Sequence, residues 1–206
     1  GHDMSFETIT RRALCFLLVL DAVLALVVGG MCFYGFGGYA WFLASIGLNA
    51  LALCLMFGGA GYSWISSAAS LGSVSNISAI IWLLAGNKLQ VDVHMGYFAA
   101  LAFVAATCDC SAIVIAALMV AVQHIGLNFY RPDLLYPGGC DSFRLVLHAA
   151  ILIVETVALV WLAASLRGAF QRSEALSRDA DHRRAEAERR EQQAEAAHAE
   201  QIRLSA

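Results

Sequence analysis

Charged residues are scarce in this 206-residue chain, and prolines are scarcer still. Only 14% of the residues are charged and 60% are hydrophobic, whereas soluble domains carry about 25% charged residues. The two prolines, Pro132 and Pro137, share one segment, which argues against a proline-rich or disordered chain. The net charge of −3 and the lack of a basic stripe argue against a partner made of nucleic acid.

Catalytic motifs are missing as well. The chain has no G-x-S-x-G, no H-E-x-x-H, no phosphate-binding loop and no repeated histidine boxes, so we expect a protein that is not an enzyme. Its first apolar run begins at Ala13 and is too long for the core of a cleaved signal peptide. Residues 1–12 are interpreted as a tag scar, Gly-His-Asp-Met, followed by a cytoplasmic N-terminus.

The charges that are present concentrate at one end of the chain. Of the 13 basic and 16 acidic residues, 15 lie after Gly168. This division predicts an all-α membrane helix bundle over residues 13–167 and a cytoplasmic helix over residues 168–206. Six apolar runs fit the length that a transmembrane helix needs, about 17–25 residues. We place the six transmembrane helices at 13–34, 40–59, 62–85, 91–107, 111–130 and 143–166.

Basic residues flank the first and the last span. Arg11 and Arg12 precede the first, and Arg167 and Arg172 follow the last. With an even number of spans both termini lie on one side, and the positive-inside rule makes that side cytoplasmic.

The charged tail is rich in alanine, glutamate and arginine and has neither proline nor glycine after Gln171. This composition favours a long helix. Small and apolar residues recur along it in an imperfect heptad pattern, which predicts a coiled coil in a homodimer; a solvated single helix is the alternative. We expect the chain to stop short of an output domain.

Three histidines are predicted to lie at one depth in the outer leaflet, on three different spans. They are His94, His124 and His148. Imidazole is a common metal ligand, so the three could bind copper or, second, zinc. Alternatively, two of them could hold haem b as axial ligands, the cluster could bind a quinone-like ligand, or the three could be polar residues hydrogen-bonded between helices.

Further residues could complete such a site. Soft sulfur ligands favour copper, and second-shell partners fix imidazole tautomers. The candidate secondary ligands are Met95, Cys32 and Cys140. The candidate second-shell or relay residues are Asp92, Gln123, Glu155 and Asp109.

Several of these residues have a second interpretation. A disulfide between Cys32 and Cys140 is an alternative to metal binding, and Asp109 also fits the N-cap of the fifth span. Glu155 and Asp21 lie deep in their spans. Each could act in a relay or could form a hydrogen bond between helices. The third span carries seven serines, which predicts a packing or dimer face.

Three stretches of the second half resemble the membrane sensor region of bacterial methyl-accepting chemotaxis proteins. They read LQVDVHMGYFAALAFVAATCD, VAVQHIGLNFYRPDLLYPGG and RLVLHAAILIVETVALVWLA, and together they cover about a third of the chain. Where the family often has a His-His pair, this chain has Gln123-His124.

The resemblance implies a chemoreceptor input domain, multi-pass in the bacterial inner membrane. Its homodimer would contact lipid and would reach the cytoplasmic chemotaxis kinase machinery through an output domain. The sequence thus predicts a sensor in which occupancy of the histidine site moves the last span. A b-type cytochrome-like redox sensor or electron carrier is the alternative, and a small transporter is a third.

Overall fold

All regular structure in the computed structural model is helical, over the residues that the structure describes, 5–135 and 140–205. The all-α class is therefore confirmed. The helices are α1 (Phe6–Met31), α2 (Tyr39–Phe57), α3 (Tyr62–Leu83), α4 (Gln90–His94), α5 (Gly96–Ala105), α6 (Cys110–Tyr130) and α7 (Ser142–Ser205). A π-helical turn, Cys32–Phe36, follows α1, and a 3-10 turn, Pro132–Leu134, follows α6.

Five helices are long and apolar enough to cross a membrane, namely α1 with its π-helical turn, α2, α3, α6 and α7. This is consistent with a membrane protein. The segment predicted as a fourth span, 91–107, is a shorter apolar helix over Gln90–Ala105 that is interrupted at Met95. At 1.5 Å per residue it is about 24 Å long, less than the hydrocarbon core of about 30 Å.

Side-chain caps set two of the helix starts. Ser5 Oγ accepts a hydrogen bond from the backbone N–H of Thr8 at 3.3 Å, which starts α1 before the apolar run that begins at Ala13. Asp109 Oδ1 accepts from the backbone N–H of Ser111 at 3.0 Å. The interpretation of Asp109 as the N-cap of the fifth predicted span is therefore confirmed.

Helix α3 lies at the centre of the bundle. It packs against α1, α2, α5 and α6, and 89% of its most apolar 18-residue stretch is buried. Small side chains allow this close approach. The buried serines are Ser66, Ser67, Ser70, Ser73, Ser75 and Ser78. Because neighbours from the same chain enclose this helix, these six serines form a packing face within the chain.

The chain divides into two compact units, residues 1–166 and 167–206. In the first unit, α7 contrasts with α3, since no residue in the most apolar 18-residue stretch of α7 is buried. Phe143 is 77% exposed and Trp161 is 70% exposed.

The second unit is helical up to Ser205 and exposed where its side chains are described. Ion pairs join residues four positions apart, Glu174 with Arg178 at 3.5 Å and Asp179 with Arg183 at 2.9 Å. Pairs of this spacing and order support an exposed helix.

Candidate histidine site

The structure brings the three predicted histidines together. His94 ends α4, His124 lies on α6 and His148 lies on α7. Their ring centroids are 5.0 Å apart for His94 and His124, 5.6 Å for His94 and His148, and 5.8 Å for His124 and His148. The fold therefore brings the three histidines into one cluster, although His124 lies 30 positions after His94 and 24 positions before His148.

Backbone carbonyls orient two of the imidazoles. Nδ1 of His124 lies 2.8 Å from the carbonyl oxygen of Val120, and Nδ1 of His148 lies 2.8 Å from that of Arg144. A carbonyl oxygen only accepts, so each Nδ1 carries the proton and donates. The lone pair of each neutral ring is then on Nε2, which is the arrangement that metal-binding histidines use.

His94 contacts His124 directly. Their Nε2 atoms are 3.1 Å apart, and the Nε2 of His124 is the acceptor because its Nδ1 holds the proton. His94 therefore donates through Nε2 and leaves a lone pair on Nδ1, a buried atom without a hydrogen-bond partner. Moving that proton to Nδ1 would free the Nε2 of His94 as a third nitrogen ligand.

The spacing of the rings fits a single tetrahedral ion. With metal–nitrogen bonds of about 2.0–2.1 Å, two ligand nitrogens lie about 3.3 Å apart and two ring centroids about 5.2 Å apart. The observed separations, 3.1 Å for the nitrogens and 5.0–5.8 Å for the rings, differ by a few tenths of an ångström. Within residues 5–135 and 140–205, no group of three or more His, Cys, Asp or Glu side chains is arranged so that it could hold a metal ion as it stands.

Tyr97 is a member of the cluster that the sequence analysis missed. Its ring packs edge-on against His94 at 5.4 Å and His124 at 5.6 Å. Its hydroxyl lies 2.9 Å from Ser78 Oγ, which in turn lies 2.9 Å from Gln123 Oε1. An aromatic residue three positions after His94, on the same helical face, was the available signal.

The histidines line a cavity of about 260 Å³ together with Glu155. Glu155 lies two helical turns after His148, and its Oε2 is buried without a hydrogen-bond partner. Most of the other lining residues are apolar, including Leu101, Val120 and Leu152. The polar side chains that line the cavity are the three histidines, Tyr97 and Glu155.

The predicted sulfur ligands do not join the cluster. Met95 is 61% exposed, and Cys32 is buried in an apolar group with Val28 and Leu83. Cys140 is exposed and accepts a hydrogen bond from Nδ2 of Asn128 at 3.4 Å. Cys32 and Cys140 are both free thiols, so the structure does not contain the disulfide considered from the sequence.

The predicted second-shell residues are dispersed, apart from Glu155. Asp92 is exposed on α4, and Gln123 accepts a hydrogen bond from Ser78, which in turn contacts Tyr97. Asp109 lies 15 residues before His124, about 22 Å along α6. It accepts from Ser66 Oγ at 2.5 Å while it caps the helix, so it belongs to the opposite end of the bundle.

No protein-family model, curated protein or solved structure matches this chain. The resemblance to chemoreceptor sensor regions therefore stays a prediction that depends on the residues quoted for it.

Proposed function

We propose that this chain is the transmembrane input domain of a bacterial chemoreceptor and that His94, His124 and His148 bind one transition-metal ion. The observation that carries the proposal is the convergence of three imidazoles from three helices. Two of them have their Nδ1 protons held by backbone carbonyls, which leaves Nε2 as the ligand atom.

Copper is the first choice of metal and zinc the second. Imidazole suits both ions, and Cu²⁺ binds more tightly than the other divalent first-row ions at a given nitrogen site. The sulfur ligands that would select Cu⁺ lie outside the cluster, since Met95 is exposed and Cys32 is buried elsewhere. The proposal therefore depends on nitrogen ligands alone.

Haem b fits this geometry less well than a single ion. Two axial histidines must approach the iron from opposite faces of the macrocycle. The Nε2 atoms of His94 and His124 are only 3.1 Å apart, which leaves no gap for a porphyrin plane between them.

The signal would pass through α7. His148 is the ligand on this helix, and the apolar part of α7 has few buried residues to hold it in place. A metal that joins His148 to α4 and α6 would favour one position of α7, provided that its affinity differs between the two positions. In a six-span homodimer with cytoplasmic termini, that shift would bias the coiled coil formed by the charged tail and reach the chemotaxis kinase machinery.

The test is metal stoichiometry in the purified chain. We expect one copper or zinc ion per chain by elemental analysis after loading with either metal. Replacement of His94, His124 or His148 by alanine should each reduce this value to background. His182→Ala is the matched control, because His182 is an exposed histidine that pairs with Glu186; it should retain the metal.

Two results would overturn the proposal. One is full metal retention by all three alanine variants. The other is a Soret absorption band in the protein as purified from cells, since haem in the same cluster would make this a b-type cytochrome.

A further inference from the structure

A second polar cluster surrounds Asp21 and shares no residue with the histidine cluster. Asp21 lies on α1 and is fully buried. Ser73 Oγ donates to Asp21 Oδ1 at 2.5 Å. The Nδ2 groups of Asn49, on α2, and Asn76, on α3, both donate to the backbone carbonyl of Asp21, each at 3.1 Å.

These contacts leave three oxygen atoms without a donor. Asp21 Oδ2, Asn49 Oδ1 and Asn76 Oδ1 are all buried and have no hydrogen-bond partner. Asp21 and Asn76 are themselves fully buried. A fourth buried oxygen without a partner, Ser45 Oγ, lies one helical turn before Asn49 on α2. Buried oxygens are normally satisfied, so a group of them in one place needs an explanation.

Gly72 leaves a gap beside two of these oxygens. A Cβ atom at this position would lie 3.2 Å from Asn49 Oδ1 and 3.2 Å from Asp21 Oδ2. Both oxygens therefore border the space that the glycine leaves open on α3. Any side chain at this position would compete for that space.

The charge of Asp21 also requires neutralisation. An isolated carboxylate is costly to bury inside a membrane bundle. None of the ion pairs found within residues 5–135 and 140–205 includes Asp21. A proton on Oδ2 would remove the charge, but its single O–H would satisfy only one of the two amide oxygens. A cation, in contrast, takes several oxygen ligands at once.

We infer that Asp21, Asn49 and Asn76 form a binding site for a small monovalent cation, with sodium as the ion. Carboxylate and amide oxygens are the ligands that hard cations prefer. One carboxylate balances one positive charge, whereas a divalent ion would leave a net charge buried. Because the ligands come from α1, α2 and α3, the ion stabilises the packing of these three helices.

The test is thermal unfolding of the purified full chain in sodium chloride, potassium chloride or choline chloride at equal ionic strength. An ion that binds only the folded state raises Tm. We expect Tm to rise by a few degrees with sodium concentration and not with choline. An equal Tm in all three salts would overturn the inference, and so would an equal rise in sodium and potassium, which would show that the site does not select sodium.

Two variants assign the effect to this site. Asp21→Asn removes the charge, and Gly72→Ala fills the gap; each should abolish the sodium-dependent rise in Tm. Gly47→Ala is the matched control, because a Cβ there meets no atom within 4 Å, and it should keep the rise. A sodium-dependent rise that persists in Asp21→Asn would refute the assignment.

If Asp21→Asn does not fold, a direct measurement of sodium binding still tests the inference. Radioactive sodium should bind the unaltered chain and should be displaced by unlabelled sodium but not by choline. Absence of such binding would overturn the inference. The histidine-to-alanine variants should bind sodium as the unaltered chain does, so the two sites can fail independently.

Discussion

Helices α3 and α7 are both long enough to cross a membrane, yet they differ in how much of their surface the chain covers. In their most apolar 18-residue stretches, 89% of α3 is buried and none of α7 is. The buried helix is the one with serines, and the exposed helix has large apolar residues such as Val154 and Trp161. In this bundle the buried helix is therefore the one with small side chains that form hydrogen bonds. The helix with large apolar side chains instead presents a surface that suits lipid or a second chain.

The two helices also contribute different residues to the polar clusters. Asn76 and Ser73 of α3 contact Asp21, and Ser78 of α3 lies behind Tyr97. Helix α7 contributes His148 and Glu155 to the cavity. Under the proposed function, α3 is the fixed centre of the bundle and α7 is the helix whose position the metal changes.

The largest expected effect follows from metal bound by His148. If the metal holds α7 against α4 and α6, metal at a concentration of 100 times Kd stabilises the docked helix by about 2.7 kcal/mol. Amide hydrogen exchange at the outer end of α7 should then slow by about 100-fold, and α3 should show no change. Hydrogen exchange measured by mass spectrometry with and without metal tests this. His148→Ala should remove the slowing, whereas equal protection of α3 and α7 would contradict the distinction between them.

The next effect concerns the close packing of α3. Ser70 is fully buried, and its hydroxyl donates to the carbonyl of Ser67 at 2.8 Å. Ser70→Leu would force a larger side chain against α6 and should destabilise the fold by about 1–3 kcal/mol, measured as a lower Tm. Val154→Leu is the control on α7, where the side chain is 69% exposed, and should leave Tm almost unchanged. Equal losses in the two variants would show that α7 is packed as tightly as α3.

The helical class and the histidine cluster could be predicted from the sequence for identifiable reasons. Apolar runs bounded by turns must be helices in lipid, and counting residues from the ends of three spans placed His94, His124 and His148 at one depth. Their Nδ1 contacts with Val120 and Arg144 are local to one helical turn. Depth and helical period are therefore properties that one sequence encodes.

The remaining features depend on which helix faces which. The grouping of Asp21, Asn49 and Asn76 requires the rotations of α1, α2 and α3 about their axes, and helices that are apolar on most sides do not reveal these rotations. For the same reason the sequence predicts Cys32 as a secondary ligand, whereas in the structure it packs in an apolar group with Val28 and Leu83. Two residues on different helices must lie at the same depth to make contact, but equal depth does not ensure that they face each other.

The smallest expected effect tests whether α3 reaches the histidines only indirectly. Ser78 Oγ lies 2.9 Å from the hydroxyl of Tyr97 and 2.9 Å from Gln123 Oε1, and Tyr97 packs on His94 and His124. Ser78→Ala removes these hydrogen bonds and should lower stability by about 0.5–1.5 kcal/mol, read as a decrease in Tm. Metal stoichiometry should stay at the unaltered value, because every proposed ligand remains and Ser78 touches none of them. Loss of metal from Ser78→Ala would instead make α3 part of the site, and the contrast between a fixed centre and a responsive helix would no longer hold.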